Sequence, residues 1–292
     1  MNAVIHGKEL EEIDRIISAL VDSNEFYNVK SNMEAFLQHL ESASKEGQTQ
    51  IINRFSQRAN NVIARSRFPS MPYNALIIPP EISAAAFVSS FAAMDGTVES
   101  ILKNIRLFIE GFGDFTSPLL PQTTERDIKS VLNAAQRTFG MINIIAPLLP
   151  LRIFMLNCSH TKLNSVCLML DDKKTSIILL FHPRDTSVDD NVFIFAHELG
   201  HALHYAITGD TDEFPKGFDK FNAMFHMTFD SLSEKQEAFA SAAAIAILGS
   251  PNSRLRNHLS GKMPKGQSDL FTSYFTFICD EAQVENPCNM MG

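Results

Sequence analysis

Residues Phe193 to Tyr205 read Phe-Ile-Phe-Ala-His-Glu-Leu-Gly-His-Ala-Leu-His-Tyr, and the rest of the chain is organised around them. The core of this run is an H-E-x-x-H pattern, His197-Glu198-Leu199-Gly200-His201. On a helix, residues four apart lie one turn apart on the same face. His197 and His201 can therefore aim two imidazole nitrogens at one metal ion. Glu198, beside the first of them, is placed to take a proton from a water at that metal. An exposed polar turn or a pair of core histidines would also produce the letters. The setting argues otherwise, because Val192, Phe193, Ile194, Phe195, Ala196, Leu199, Ala202 and Leu203 surround the motif with apolar side chains. Buried imidazoles beside a buried carboxylate need a partner, and a metal supplies it.

A catalytic zinc takes three protein ligands and keeps a fourth position for water. A third histidine six residues beyond His201 is excluded, since Ile207 stands there. A glutamate from a following helix is the alternative. Glu237 shares its helical face with Ala240, Ser241 and Ala244, and such small residues allow two helices to approach closely. Glu234, one turn earlier, and an acid within 210–213 remain as rivals. His204, seven residues after His197, can support a ligand, face the substrate or simply pack. His160, His182, His226, Tyr205 and Tyr274 are candidates for steadying a transition state, a role recognised by geometry that a sequence does not contain.

The remaining sequence frames this site. A chain of 292 residues can bury a substantial core. The net charge of −8 argues against nucleic acid or an anionic membrane as the main partner. Four cysteines without a C-x-x-C pair suggest a reducing compartment, and with no signal or transit pattern in residues 1–21 the expected location is the cytoplasm. The apolar stretch Met141 to Leu156 is broken by Pro147, Pro150 and Arg152 and does not read as a membrane span.

Apolar periodicity predicts helices over Lys8–Val21, Val29–Leu40 (with a break at Gly47), Ile51–Ile63, Ile82–Met94 and Val98–Phe112, and another that Thr123-Thr124-Glu125-Arg126 opens and that runs through about Ile145. Residues 1–147 thus read as a mostly helical region, a scaffold or cleft wall. After Pro150 the texture changes. Arg152–Leu156, Ser165–Leu170 and Thr175–Phe181 are short and apolar and read as strands, and Asp171-Asp172-Lys173-Lys174 reads as a hairpin turn between the last two. Ser187-Val188-Asp189-Asp190 caps the metal helix, which should stop near Thr208-Gly209-Asp210. Phe218–Phe229 and Ser233–Leu248 follow, with a final apolar segment at Leu270–Ile278. The fold class expected is α+β.

The run Phe193–His204 is similar to the metal helix of the ImmA/IrrE-like metallopeptidases, including the aromatic before it and the extra histidine after it. Thr175–Phe181 and Glu237-x-x-Ala240-Ser241-x-x-Ala244-x-x-Ile247-Leu248 with Pro251 resemble that family's strand and ligand helix, with Ser241 where Asn is usual. The resemblance covers about residues 150–251. It implies that residues 148–292 form a compact zincin-like peptidase domain of the gluzincin type, with a small antiparallel sheet. It also implies zinc held by His197, His201 and Glu237, Glu198 as general base, and a protein or peptide substrate, often a transcriptional repressor. The chain departs from the pattern in placing this part behind a helical region, and no helix-turn-helix is evident. A non-catalytic interaction protein with a structural or vestigial zinc is the competing expectation.

Overall fold

The computed structural model describes residues 5, 7–21, 29–65, 76–78, 97–112, 115–118, 124–138, 151–156, 158–160, 165–169, 176–181, 188–209, 212–215, 217–224, 227–248 and 275. The fold is α+β. In chain order the elements are α1 (Lys8–Val21), α2 (Val29–Ser42), α3 (Lys45–Arg65), β1 (Leu76–Ile78), α4 (Val98–Phe112), β2 (Phe115–Pro118), α5 (Glu125–Thr138), β3 (Leu151–Met155), β4 (Cys158–His160), β5 (Ser165–Met169), β6 (Ser176–Leu180), α6 (Val188–Thr208), α7 (Phe218–Met224) and α8 (Leu232–Leu248). No helix among the described residues is long and apolar enough to cross a membrane.

The main sheet has four strands in the order β1-β3-β6-β5. It is mixed, which corrects the expected antiparallel sheet. β5 and β6 do form an antiparallel pair, with Cys167 opposite Ile178, but β6 lies beside β3 and runs parallel to it. The chain leaves β3, reverses along β5 at the edge and returns through β6, so β3 and β6 share a direction. β1 adds a second parallel pair on the far side of β3. Three-residue β1 and β4 and four-residue β2, which pairs with β4 in a separate ribbon, carry too few residues for a legible alternation.

The strands read as continuous apolar runs because both sheet faces are covered. Alternate residues belong to two cores. Ile153, Met155, Cys167, Ile178 and Leu180 pack with residues of α5, α6 and α8. Phe154, Leu156, Ile177, Leu179 and Phe181 pack with residues of α1 to α4. Helices α1 to α4 thus form one outer layer, α5 joins α6 and α8 in the other, and β1 places Ile77 and Ile78 in different cores.

Local chemistry explains the helix ends. The Ser44 hydroxyl accepts the Gly47 N–H at 3.2 Å, so α3 begins before Gly47, and the break falls at Ala43-Ser44 rather than at the glycine. Gly47 is small for a packing reason: a Cβ there would lie 3.1 Å from Ile5 Cδ1. At α5, the Thr124 hydroxyl donates to Asp127 Oδ2 at 2.6 Å and accepts the Asp127 N–H at 3.2 Å, closing a cap. α6 ends where expected. Gly209 takes φ 69° and donates its N–H to Tyr205 O at 2.8 Å. The predicted Ile82–Met94 helix, the 171–174 turn, Ser187 and the continuation of α5 towards Ile145 lie outside the described residues, as does all of Leu270–Ile278 except Phe275.

The two-sided burial has a measurable consequence. Ile178→Ala and Leu179→Ala sit on opposite faces of β6, and each should destabilise the protein by about 2–5 kcal/mol in denaturant unfolding. A cost for Leu179→Ala comparable to a surface change, about 0.5 kcal/mol or less, would show that the helical layer does not cover that face.

Candidate metal centre

His197 and His201 project from one face of α6 with ring centroids 4.9 Å apart and planes at 84°. Glu237 comes from α8, across a close contact between α6 and α8. A Cβ added to Gly200 would lie 2.6 Å from Ala240 O, 2.8 Å from Ala240 Cα and 3.0 Å from Ala243 Cβ. Only glycine fits there. The approach lets the Glu237 carboxylate reach both histidines, with Oε2 3.0 Å from His197 Nε2 and Oε1 3.4 Å from His201 Nε2. One ligand atom from each of the three residues lies within 4.8 Å of the others.

The donor set fits a metal ion. Bonds of ~2.0–2.1 Å in a tetrahedron separate neighbouring ligand atoms by about 3.3 Å, close to the two imidazole–carboxylate distances. In the metal-free arrangement, hydrogen bonds from His197 and then His201 hold the Glu237 carboxyl well below its ordinary range. Burial pushes His197 down, but the hydrogen bond to Glu237 and the charges of Glu198 and Glu237 outweigh it and leave the imidazole above its ordinary value. Ser241, one turn after Glu237 on α8, places Oγ 3.2 Å from His197 Nδ1. A hydroxyl both donates and accepts, so it serves either tautomer and leaves Nε2 facing the other ligands. His201 Nδ1 is buried without a hydrogen-bond partner among the described residues.

Glu198 is 7% exposed and is not one of the three clustered ligands. It receives a hydrogen bond from the Ser165 hydroxyl, with Oγ 2.6 Å from Oε1. Ser165 opens β5, the edge strand that lies against α6. Cys167, two residues on and on the same strand face, is a free buried thiol, raised well above its ordinary value by burial and then by the Glu198 charge. Tyr205 stacks on His201 with centroids 6.4 Å apart, and burial holds its phenol well above the ordinary range, so it remains a donor at neutral pH.

The rivals are placed elsewhere. Glu234 turns back to accept the Asp230 N–H at 2.9 Å, and its own N–H bonds the Ser231 hydroxyl at 3.2 Å, so it is taken up by the start of α8. Asp212 and Glu213 are exposed and do not join the cluster, while Asp210 lies outside the described residues. His204 is fully buried. Its Nε2 lies 2.5 Å from Glu213 O and its ring stacks on Phe214 at 4.5 Å, so it packs and ties down the 212–215 segment. His160 sits in β4 opposite Phe115, and His182, His226 and Tyr274 lie outside the described residues. Ser165 and the role of Gly200 had no signal in the sequence, because each depends on an element distant along the chain.

Comparison with protein-family models, with curated proteins and with solved structures finds no match in any of the three.

Two substitution experiments test this geometry. Glu237→Ala should weaken metal binding strongly in a chelator competition, whereas Glu234→Ala should leave it near the parent and cost only the support of an acid in the first turn of α8, about 0.3–1 kcal/mol. Gly200→Ala raises helix propensity by about 1 kcal/mol but forces a methyl into the Ala240 backbone, an overpacking that typically costs about 1–3 kcal/mol. The melting temperature should fall and metal affinity should drop with it. A variant as stable as the parent would contradict the close helix contact.

Proposed function

We propose that the chain is a zinc-dependent peptidase of the zincin-like, gluzincin type, with a polypeptide as substrate. The observation that carries this reading is a buried, unligated carboxylate, Glu198, beside a three-donor group of His197, His201 and Glu237. A structural metal site has no use for such a base, which weighs against the alternative of a non-catalytic zinc-binding interaction protein. Two imidazoles and one carboxylate form a donor set suited to zinc, with one coordination position left for water or substrate.

Zinc bound there supplies Lewis acidity, polarising the peptide carbonyl and bringing the pKa of its water towards ~7. The chain's own residues do the rest. Glu198 accepts a proton from water on Oε2 as the water oxygen attacks the carbonyl carbon. The resulting carboxylic acid then delivers that proton to the amide nitrogen as the carbon–nitrogen bond breaks. β5 is an edge of the sheet among the described residues, and its unpaired backbone can take an extended peptide as an added strand beside α6. The similarity of Phe193–His204 to the ImmA/IrrE-like metal helix supports the same reaction class and leaves the substrate's identity open.

The decisive experiment separates the base from the metal. Glu198→Gln is nearly isosteric and should retain both fold and zinc, while cleavage of unstructured polypeptides falls by ~10²–10⁴-fold. Zinc content, melting temperature and cleavage should be measured on one preparation. Undiminished cleavage by the fully metallated variant would overturn the mechanism.

A further inference from the structure

The hydroxyl of Ser165 donates to Glu198 Oε1 at 2.6 Å, although the two residues are 33 positions apart in the chain. Strand periodicity explains how it gets there. Ser165 and Cys167 share one face of β5, and Cys167 packs in the core that contains Phe195, Leu199 and Ala202 of α6, so Ser165 faces the metal helix. Ser165 also stands opposite Leu180 at one end of the β5–β6 ladder, which fixes its backbone. Glu198 is 7% exposed, and its carboxylate takes this side-chain hydrogen bond in a buried setting.

We propose that Ser165 is a positioning residue for the hydrolytic reaction: it ties Oε1 of Glu198 to the edge strand and so leaves Oε2 as the oxygen that exchanges protons with water. The inference rests on the peptidase reading given above. A carboxylate has two equivalent oxygens and free rotation about its last bond. A donor fixed on one oxygen removes both ambiguities. When Glu198 is ionised, Ser165 holds the carboxylate plane; when Glu198 carries the proton on Oε2, Oε1 is a carbonyl oxygen and still accepts from Ser165. The same bond therefore serves both halves of the reaction. It also joins the base to the strand on which a peptide would be added, so substrate and base are held by one element.

The test uses the full chain loaded with cobalt(II), whose visible spectrum reports both metal occupancy and binding of acetohydroxamate. Hydroxamates chelate such a metal and accept a hydrogen bond from the protonated base, so they sense where that base points. Ser165→Ala should take up cobalt with affinity within about twofold of the parent but bind acetohydroxamate ~10–100-fold more weakly, the usual effect of removing a supporting hydrogen bond at such a site. Ser165→Thr, at home in a strand, should restore most of the loss. In peptide cleavage, Ser165→Ala should lower kcat and leave KM near the parent value. If Ser165→Ala does not fold, Ser165→Cys keeps the side-chain shape with a somewhat larger atom, weakens the donor and should give the same pattern in milder form.

Unchanged acetohydroxamate binding in the alanine variant, or in the cysteine variant where alanine does not fold, overturns the inference. Loss of cobalt affinity in step with hydroxamate affinity also overturns it, since that marks a general structural role. A parent protein that shows the Ser165-dependent binding but cleaves no polypeptide refutes the peptidase reading while Ser165 keeps its place beside Glu198. A parent that takes up no cobalt refutes the metal centre, and this inference with it.

Discussion

The contact between Gly200 and Ala240 is the constraint on which the site depends. With no side chain at Gly200, the α8 backbone comes so near that a Cβ would stand 2.6 Å from the Ala240 carbonyl oxygen. Glu237, one turn before Ala240, then has a carboxylate that meets both His197 and His201 with a side chain of ordinary length. A wider axis separation would leave the same three residues on two helices that never share an ion. Ala243 and Ala244 extend the seam below the site and are fully buried. Close packing there is the energetic support for the ligand geometry, because interiors transmit a misfit of even one methyl group.

The sheet supplies the second frame. Its faces belong to different cores, so each strand is held from both sides and has little freedom to slide. A one-residue slip of β5 would send Ser165 and Cys167 to the face of the N-terminal helices and Val166 to the metal helix. Register thus determines whether Glu198 has its hydrogen bond from Ser165. Helices α1 to α4, which carry none of the three clustered residues, contribute by burying the face of β6 that holds Ile177 and Leu179, while α5 packs on the other face.

Electrostatics then distinguishes two neighbouring carboxylates. Glu237, with a side chain 60% exposed, accepts from two imidazoles and is held strongly ionised. Glu198 lies deeper, meets a neutral hydroxyl and keeps one oxygen uncommitted by it. The first is placed to join a metal site with the two histidines, and the second is left out of that cluster. Proximity in the fold does not make them equivalent, since one meets two imidazoles and the other a single hydroxyl.

What the sequence by itself determined lies within a few residues of itself. The i, i+4 spacing of His197 and His201 needs only a helix, and the helix needs only its apolar surroundings and the left-handed Gly209 that stops it. The stripes of α1, α2, α4 and α5 were legible for the same reason. The tertiary structure decided what joins distant segments. It selected Glu237 over Glu234 through a helix contact on one side and a cap at Asp230 and Ser231 on the other. It set β6 parallel to β3, which no strand's own residues could indicate, and gave Gly200 and Ser165 their tasks. Propensity and periodicity act between near neighbours on the chain, whereas a shared ligand site, a sheet order and a hydrogen bond across 33 residues arise only when the cores close.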